Sequence, residues 1–351
     1  MTRDARLGIV PAGGSSVRPT INDVSRLAGV SIKTVSRVLN NERRVAESTR
    51  ARVNAAVAEL NYRPNIAARS LAGHRSFQIA LACDNPSPYY VYEMQSGIRD
   101  RCRLDGVRMM AQPYDHDSER LIEDIESLVT AAGIDGLILT PPATDYPEVL
   151  ALLERHGTRF VRVAPGSHFE LTASVFIDNR GAALSMTRHL LALGHRRIGF
   201  ITGHSSYATS TQRLDGYRAA LAEADIEPDP RLIREGSYDF ASGADAAEAL
   251  FALAQLPTAI FASNDEMAAG VLSIAHRRGL SVPGDLSVAG FGDDAISRFV
   301  WPPLTTIRQP VRTLGYAAAD LLLAAEFRVE HRETPFELIR RESTGPVRSA
   351  G

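Results

Sequence analysis

Residues 18–71 read RPTINDVSRLAGVSIKTVSRVLNNERRVAESTRARVNAAVAELNYRPNIAARSL, and the reading of the whole chain starts here. Thr20 and Asp23 make a T-x-x-D start, a capping-box-like arrangement in which the first helical turn satisfies its own backbone. Ile21, Val24 and Leu27 then recur at helical spacing, Gly29 ends that helix, and Ser31 is a good N-cap for a second. Ile32 to Leu39 follow without Gly or Pro. At about 100° per residue, Val35, Val38 and Leu39 share one arc, and Ile32, Lys33, Ser36 and Arg37 share the opposite one. One face can pack. The other presents two cations, a hydroxyl and an apolar group, which suits guanine edges and thymine methyls in a major groove. A third helix is expected from Ser48 or Thr49, with Val53, Val57 and Leu60 as its packing stripe. Helix, glycine-containing turn, helix is the helix-turn-helix outline.

Charge separates this outline from a helical hairpin that merely packs on a larger domain. Residues 1–75 hold 13 Lys and Arg against 5 Asp and Glu, a balance of +8, whereas the remainder holds 26 against 36, a balance of −10. A chain of net charge −2 has gathered its cations at one end, as a phosphate-binding module requires. Lys33 is the only lysine; every other fixed cation is arginine.

The motif AGVSIKTVSRVLN at 28–40, followed by NYRPNIAARSL at 61–71, closely resembles the lac repressor (LacI/GalR) family of bacterial transcription regulators, and looser matches continue to about Ser343. The candidate DNA contacts are Thr20, Ser31, Ile32, Lys33, Ser36, Arg37 and Asn40. Pro64 suits a first helical turn, but Asn65 to Leu71 offer only two turns, too few to be stable alone. The resemblance implies that this hinge becomes helical in a DNA minor groove, where a leucine wedges between base pairs; by position that leucine is Leu71. The expected organisation is a disordered Gly/Ser-rich arm at 1–17, an all-α helix-turn-helix domain at 18–63, a hinge at 64–75 and a larger domain at 76–351.

At 351 residues there is room for two or three domains. Cys83 and Cys102 form neither a metal spacing nor a disulfide framework, and Cys83 reads as a buried thiol. A membrane span and a signal-peptide pattern are both missing from the sequence, so a cytoplasmic location is expected. With no G-x-S-x-G run, no Walker loop and no H-E-x-x-H cluster, an enzyme is disfavoured, and no cofactor or metal is expected.

From Phe77 onward short apolar runs alternate with helical patterns. Strands are expected at 77–83, 107–111, 136–139, 160–163, 174–177, 197–201, 232–235, 259–262, 286–290 and 336–341. Helices are expected at 90–104, 118–132, 146–156, 181–193, 212–224, 242–253 and 266–278. This alternation implies parallel sheets covered on both faces, with too many strands for one small sheet. The resemblance implies the two-lobed α/β architecture of (type I) periplasmic sugar-binding proteins, with three crossovers between lobes, expected near 164–172, 291–294 and 306–309.

Ligands of open α/β sheets sit beyond the carboxyl ends of the strands. That rule nominates the loops 84–90, 178–180, 202–213, 236–240, 263–265 and 292–294, whose carboxylates, amides, arginine and aromatics suit a sugar-like molecule. The resemblance then assigns individual positions. TSTQRLDGYRAAL puts a ligand-binding arginine at Arg213, SNDEMAAG an asparagine or aspartate facing the cleft at Asn264 and Asp265, REGSYDFASG an aromatic at Tyr238, SPYY a pair at Tyr89 and Tyr90, and VFIDN an acid at Asp178. Asp178, Asn264 and Asp293 are the expected partners of Arg213, with Asp215 as an alternative structural one. In GFGDD the sequence departs from the family pattern: counting back from PPLTTIRQP puts Gly292 where the first ligand-bonding acid or amide usually stands, so either the ligand lacks the matching hydroxyl or the loop shifts so that Asp293 serves. The implied protein is a dimeric, effector-responsive regulator, a repressor of a carbohydrate utilisation operon, that binds a palindromic double-stranded operator.

Overall fold

The computed structural model describes residues 19–39, 45–62, 76–84, 87–115, 118 and 120–348. Asn40, Leu71, the hinge and the N-terminal arm lie outside these residues. Two compact units are present, one within Met1–Arg75 and one spanning Ser76–Gly351.

The first unit contains α1 (Ile21–Ala28), α2 (Ile32–Leu39) and α3 (Glu47–Glu59). Asp23 accepts both the N–H and the hydroxyl of Thr20, at 2.9 and 2.8 Å, which starts α1. Gly29, at φ 63, ends it in the left-handed conformation that favours glycine. The Ser31 hydroxyl accepts the Thr34 N–H at 3.1 Å and so caps α2. Val24, Ala28, Val35, Val38, Val53, Ala56 and Tyr62 form the core. The helix α3 starts one residue before the expected Ser48, and Ala56 is buried while Val57 and Leu60 are only half-buried.

The second unit is built on two six-stranded sheets. The first runs in the order β11-β5-β4-β3-β1-β2, with β1 Gln78–Cys83, β2 Arg108–Pro113, β3 Gly136–Leu139, β4 Phe160–Val163, β5 Ser174–Phe176 and β11 His331–Glu333. The second runs β12-β10-β9-β8-β6-β7, with β6 Ile198–Thr202, β7 Ile233–Glu235, β8 Ala259–Ala262, β9 Ser287–Gly292, β10 Thr305–Arg308 and β12 Glu337–Ile339. All pairings are parallel except that of β12 with β10. The central strands β3 and β8 are buried along their whole length and β1 everywhere but at Gln78, which is why they read as continuous apolar runs.

Three crossings join the lobes, and two of them differ from the expected places. The stretch 164–172 stays in the first lobe, because β5 still pairs with β4; the chain leaves only after β5, into α7 (Asn179–Ala192), which packs on α8 (Ala208–Glu223) of the second lobe. The stretch 291–294 stays in the second lobe, because β10 lies beside β9. The second crossing follows β10 at Gln309–Pro310, next to the expected 306–309, and the third joins β11 to β12. Two elements on this return path escaped the sequence reading. The strand β11 reads His-Arg-Glu, without an apolar signal. The other element, Val311–Leu322, carries Gly315 mid-helix; this helix (α12 in chain order) packs on α4 (Pro88–Asp105) at very close range. A Cβ on Gly315 would strike the Met94 carbonyl, and one on Gly97 the Arg312 carbonyl. Among the described residues no helix is long and apolar enough to cross a membrane.

Candidate functional site

On α2 the two arcs separate as their spacing requires: Val35 and Val38 are buried, while Ser31, Ile32, Lys33 and Arg37 are exposed and Ser36 is half-buried. Ile32 is 48% exposed although apolar. Thr20 is exposed at the start of α1.

Within the second unit a narrow cleft lies where the carboxyl ends of the two sheets face each other. The first lobe contributes Ser87, Tyr90 and Ala164. The second contributes Tyr207, Thr209, Arg213, Tyr238, Asn264, Phe291, Gly292 and Asp294, and the crossing strand end adds Gln309 and Val311. Ala164 and Tyr238 hold φ of 46° and 63°, a left-handed backbone uncommon for side chains with a Cβ, and such residues concentrate at functional sites.

Arg213 is the buried cation of this cleft. Its Nε donates to Asn179 Oδ1 at 3.0 Å, Nη1 to the Ser263 carbonyl at 2.6 Å and Nη2, more distantly, to Gln309 Oε1 at 3.4 Å. The guanidinium carbon lies 3.7 Å from the centroid of the Phe291 ring. Burial lowers the Arg213 pKa, with Tyr238, Tyr90 and Asp265 opposing it. A guanidinium has five N–H groups, so with three engaged two are left for a ligand. None of the expected partners holds it. Asp178 is exposed and instead caps α7, accepting the Gly181 N–H at 2.7 Å; the next residue, Asn179, is the one turned inward. Asn264 caps α10 (Asp265–Arg277), accepting the Met267 N–H at 2.9 Å, and donates to the Tyr238 carbonyl at 2.6 Å and to Glu266 at 2.8 Å. No bond joins Arg213 to Asp215 among the described hydrogen bonds.

The aromatic residues divide. Tyr90 and Tyr238 line the cleft, whereas Tyr89 lies in a shallower outer groove. The Tyr238 hydroxyl pairs with Ser210 at 2.7 Å, and its ring meets Tyr207 edge-on at 5.1 Å. Tyr207, which the sequence reading passed over, reaches across to the first lobe and donates to Asp84 Oδ2 at 3.0 Å.

The acids after β9 are sorted by the loop. Asp293, at φ 57, turns out of the cleft and is held by Arg308 at 2.7 Å and by Arg341, which keep its carboxyl low despite burial. Asp294 faces in. Burial, with Glu266, Asp293 and Glu93 nearby, pushes its carboxyl up to about 7. Asp265, fully buried, is likewise pushed up to about 7 by burial and by Asp294; it accepts the Thr306 hydroxyl at 2.6 Å and the Asp294 N–H at 2.9 Å. Tyr207, Asp294 and Gln309 were missed as individual site residues. Position after a strand could have found Gln309 had Thr305–Arg308 been read as β10. Among the described residues no His, Cys, Asp and Glu group could hold a metal ion.

The chain was compared with known proteins. Residues 20–65 match the family described as bacterial regulatory proteins, lacI family, and residues 187–344 match the periplasmic binding protein-like domain. The HTH-type transcriptional repressor PurR of Vibrio atlanticus (strain LGP32) is 34% identical over 322 residues, covering 91% of this chain and 95% of that protein. The ribose operon repressor of Escherichia coli (strain K12) is 35% identical over 307 residues, covering 87% and 92%. Among solved structures, a lac repressor dimer bound to operator and the anti-inducer ONPF superposes with a TM-score of 0.77 at 30% identity, covering 93% of this chain and 99% of that one. The fold is thus an N-terminal helix-turn-helix unit with a two-lobed periplasmic-binding-protein-like domain, the relatives are transcriptional repressors rather than enzymes, and the chain belongs to the lacI family of bacterial regulatory proteins.

Proposed function

We propose that this protein represses a carbohydrate utilisation operon, binding a palindromic operator as a homodimer and releasing or tightening its grip according to a small sugar-like effector held between the lobes. The observation that carries this reading is Arg213, buried on Phe291 with two N–H groups left over in a cleft also lined by tyrosines and a carboxylate. Two parallel N–H donors suit adjacent oxygens, and ring faces suit a pyranose or furanose. The exposed arc of α2 supplies base contacts through Ile32, Lys33, Ser36 and Arg37, with Thr20, Ser31 and Asn40 flanking them and Leu71 wedging in the minor groove. A two-fold dimer presents two such arcs, and hence a palindrome.

In this mechanism the effector acts through its different affinities for two lobe arrangements. Closing or opening the cleft alters the spacing of the paired hinges at 64–75, and with it whether they fold on DNA. Fluorescence anisotropy with a palindromic DNA selected from random sequence, with and without a panel of sugars, sugar acids and nucleobases, tests the proposal. A sugar that changes operator affinity at least tenfold supports it. DNA binding insensitive to every compound that binds the cleft overturns it.

A further inference from the structure

Ser25 grips the turn that leads into α2. A serine inside a helix commonly faces solvent or bonds back to the carbonyl four residues earlier. The Ser25 hydroxyl instead donates forward, to the Val30 carbonyl at 2.6 Å, and both residues are half-buried. The Ser25 carbonyl in turn accepts the N–H groups of Gly29 and, at 3.2 Å, of Val30. Both backbone polar groups of Val30, the residue before the N-cap Ser31, are therefore held by one residue of α1. The backbone bonds by themselves close the helix end around a left-handed glycine. Nor does α2 need the Val30 carbonyl, because its first turn bonds to the Ser31 carbonyl, from Thr34 at 2.9 Å and Val35 at 3.0 Å. The hydroxyl bond is thus surplus to both helices. What it fixes is the direction in which α2 leaves Gly29.

We infer that Ser25 is a positioning residue for sequence reading: its hydroxyl sets the angle of α2, and so decides whether Lys33 and Arg37 reach base edges together. This rests on the reading of the exposed arc of α2 as the base-contacting face. Beneath α2, Val35 and Val38 share a core with Val24 and Val53. Apolar packing is non-directional and tolerates a small tilt, whereas a hydrogen bond weakens with angle. Arg37 lies about 9 Å along the axis of α2 from Ser31, so a tilt of about 10° displaces it by about 1.5 Å. Base contacts hold their heavy atoms within about 2.7–3.2 Å, and that displacement breaks them. Phosphate contacts tolerate it, because much of their attraction is charge and carries no sequence information. Loss of the hydroxyl should therefore lower the preference for one sequence and spare general affinity for DNA.

The test uses full-length wild type, Ser25→Ala and Ser25→Thr, a duplex selected from random sequence with wild type, and a scrambled duplex of the same length. Fluorescence anisotropy at a fixed salt concentration gives the affinity for each duplex, and a thermal melt accompanies each variant. Ser25→Ala should bind the selected duplex at least about fivefold more weakly, while its affinity for the scrambled duplex changes by less than about twofold. Ser25→Thr, which keeps the hydroxyl, should return the ratio of the two affinities to within about twofold of wild type. Equal losses on both duplexes, with or without a lower melting temperature, make Ser25 a structural residue and overturn the inference. So does a selected-duplex affinity that alanine leaves unchanged or that threonine fails to restore. Those outcomes leave α2 standing as the base-reading helix. A wild type that binds the selected duplex no better than the scrambled one overturns that reading as well.

Discussion

The Tyr207 hydroxyl donates to Asp84 Oδ2 at 3.0 Å, and the two residues belong to opposite lobes 123 positions apart in the chain. This bond ties the loop after β6 to the loop after β1 across the mouth of the cleft. Tyr207→Phe keeps the ring beside Tyr238 and removes only the hydroxyl. A hydrogen bond contributes about 1 kcal/mol, so the lobes should separate more readily and effector affinity should fall about fivefold. Asp84→Asn keeps an acceptor and should fall less. Calorimetric titration checks the order of the two, and equal affinities in wild type and Tyr207→Phe would remove the bond from the closing equilibrium.

Arg213→Ala strips donors from Asn179, the Ser263 carbonyl and Gln309 together. Lost charged hydrogen bonds should weaken the effector by about ten- to a hundredfold, and the orphaned acceptors should cost about 1–3 kcal/mol of stability. Basal operator binding should survive. Arg213→Lys should not rescue the effector, because a point-charge ammonium cannot make three divergent bonds and stack on Phe291 as well. Titration beside thermal denaturation separates the two effects, and full rescue by lysine would reduce Arg213 to a charge.

Arg37→Ala and Lys33→Ala should each cost about 1–3 kcal/mol on the operator and relax one base position, whereas Ile32→Ala should change preference more than affinity. Binding to operator and to random DNA at two salt concentrations checks this. Equal losses on both DNAs would make the cations phosphate contacts.

Asp265 has its carboxyl raised from 3.8 to about 7, by burial first and by Asp294 second. The folded chain therefore keeps a proton that the unfolded chain has released between those values. Its contribution favours folding most at the acid end of that window and declines as pH rises from about 4 through 7. Asp265→Asn mimics the protonated acid. Its melting temperature should fall less than that of wild type between pH 5.5 and 8, by roughly 2–4 °C for each kcal/mol removed. Parallel pH profiles would show that Asp265 does not set the slope.

Gly97→Ala drives a methyl into the Arg312 carbonyl where α4 meets the returning helix. With backbone on the far side the helices must part, at a cost of about 1–3 kcal/mol or more. A denaturant melt should show a lower midpoint, and an unchanged one would mean that the crossing helix can shift without loss.

Periodicity and capping residues are local, and what depended on them was legible in the sequence. Val35 and Val38 had to face Val24 and Val53 because an α-helix repeats every 3.6 residues, and Thr20, Gly29 and Ser31 mark its ends by bonding within a few positions. The apolar runs of β1, β3, β4 and β8 announced buried parallel strands for the same reason, and the strand-end rule found most of the loops around the cleft. The crossovers were not local. A three-residue strand such as His331–Glu333 has no pattern of its own and is held by its neighbour Ser174–Phe176, 157 residues away at the register Ser174–His331.

The inward and outward choices in the site were likewise tertiary. Asp178 and Asn179 are equally polar, and so are Asp293 and Asp294. Which of each pair meets the cleft depends on a helix N-terminus claiming Asp178 and on Arg308 and Arg341 claiming Asp293. A side chain one residue along a loop points elsewhere, and the partners that decide the matter are brought beside it only when the two sheets are assembled.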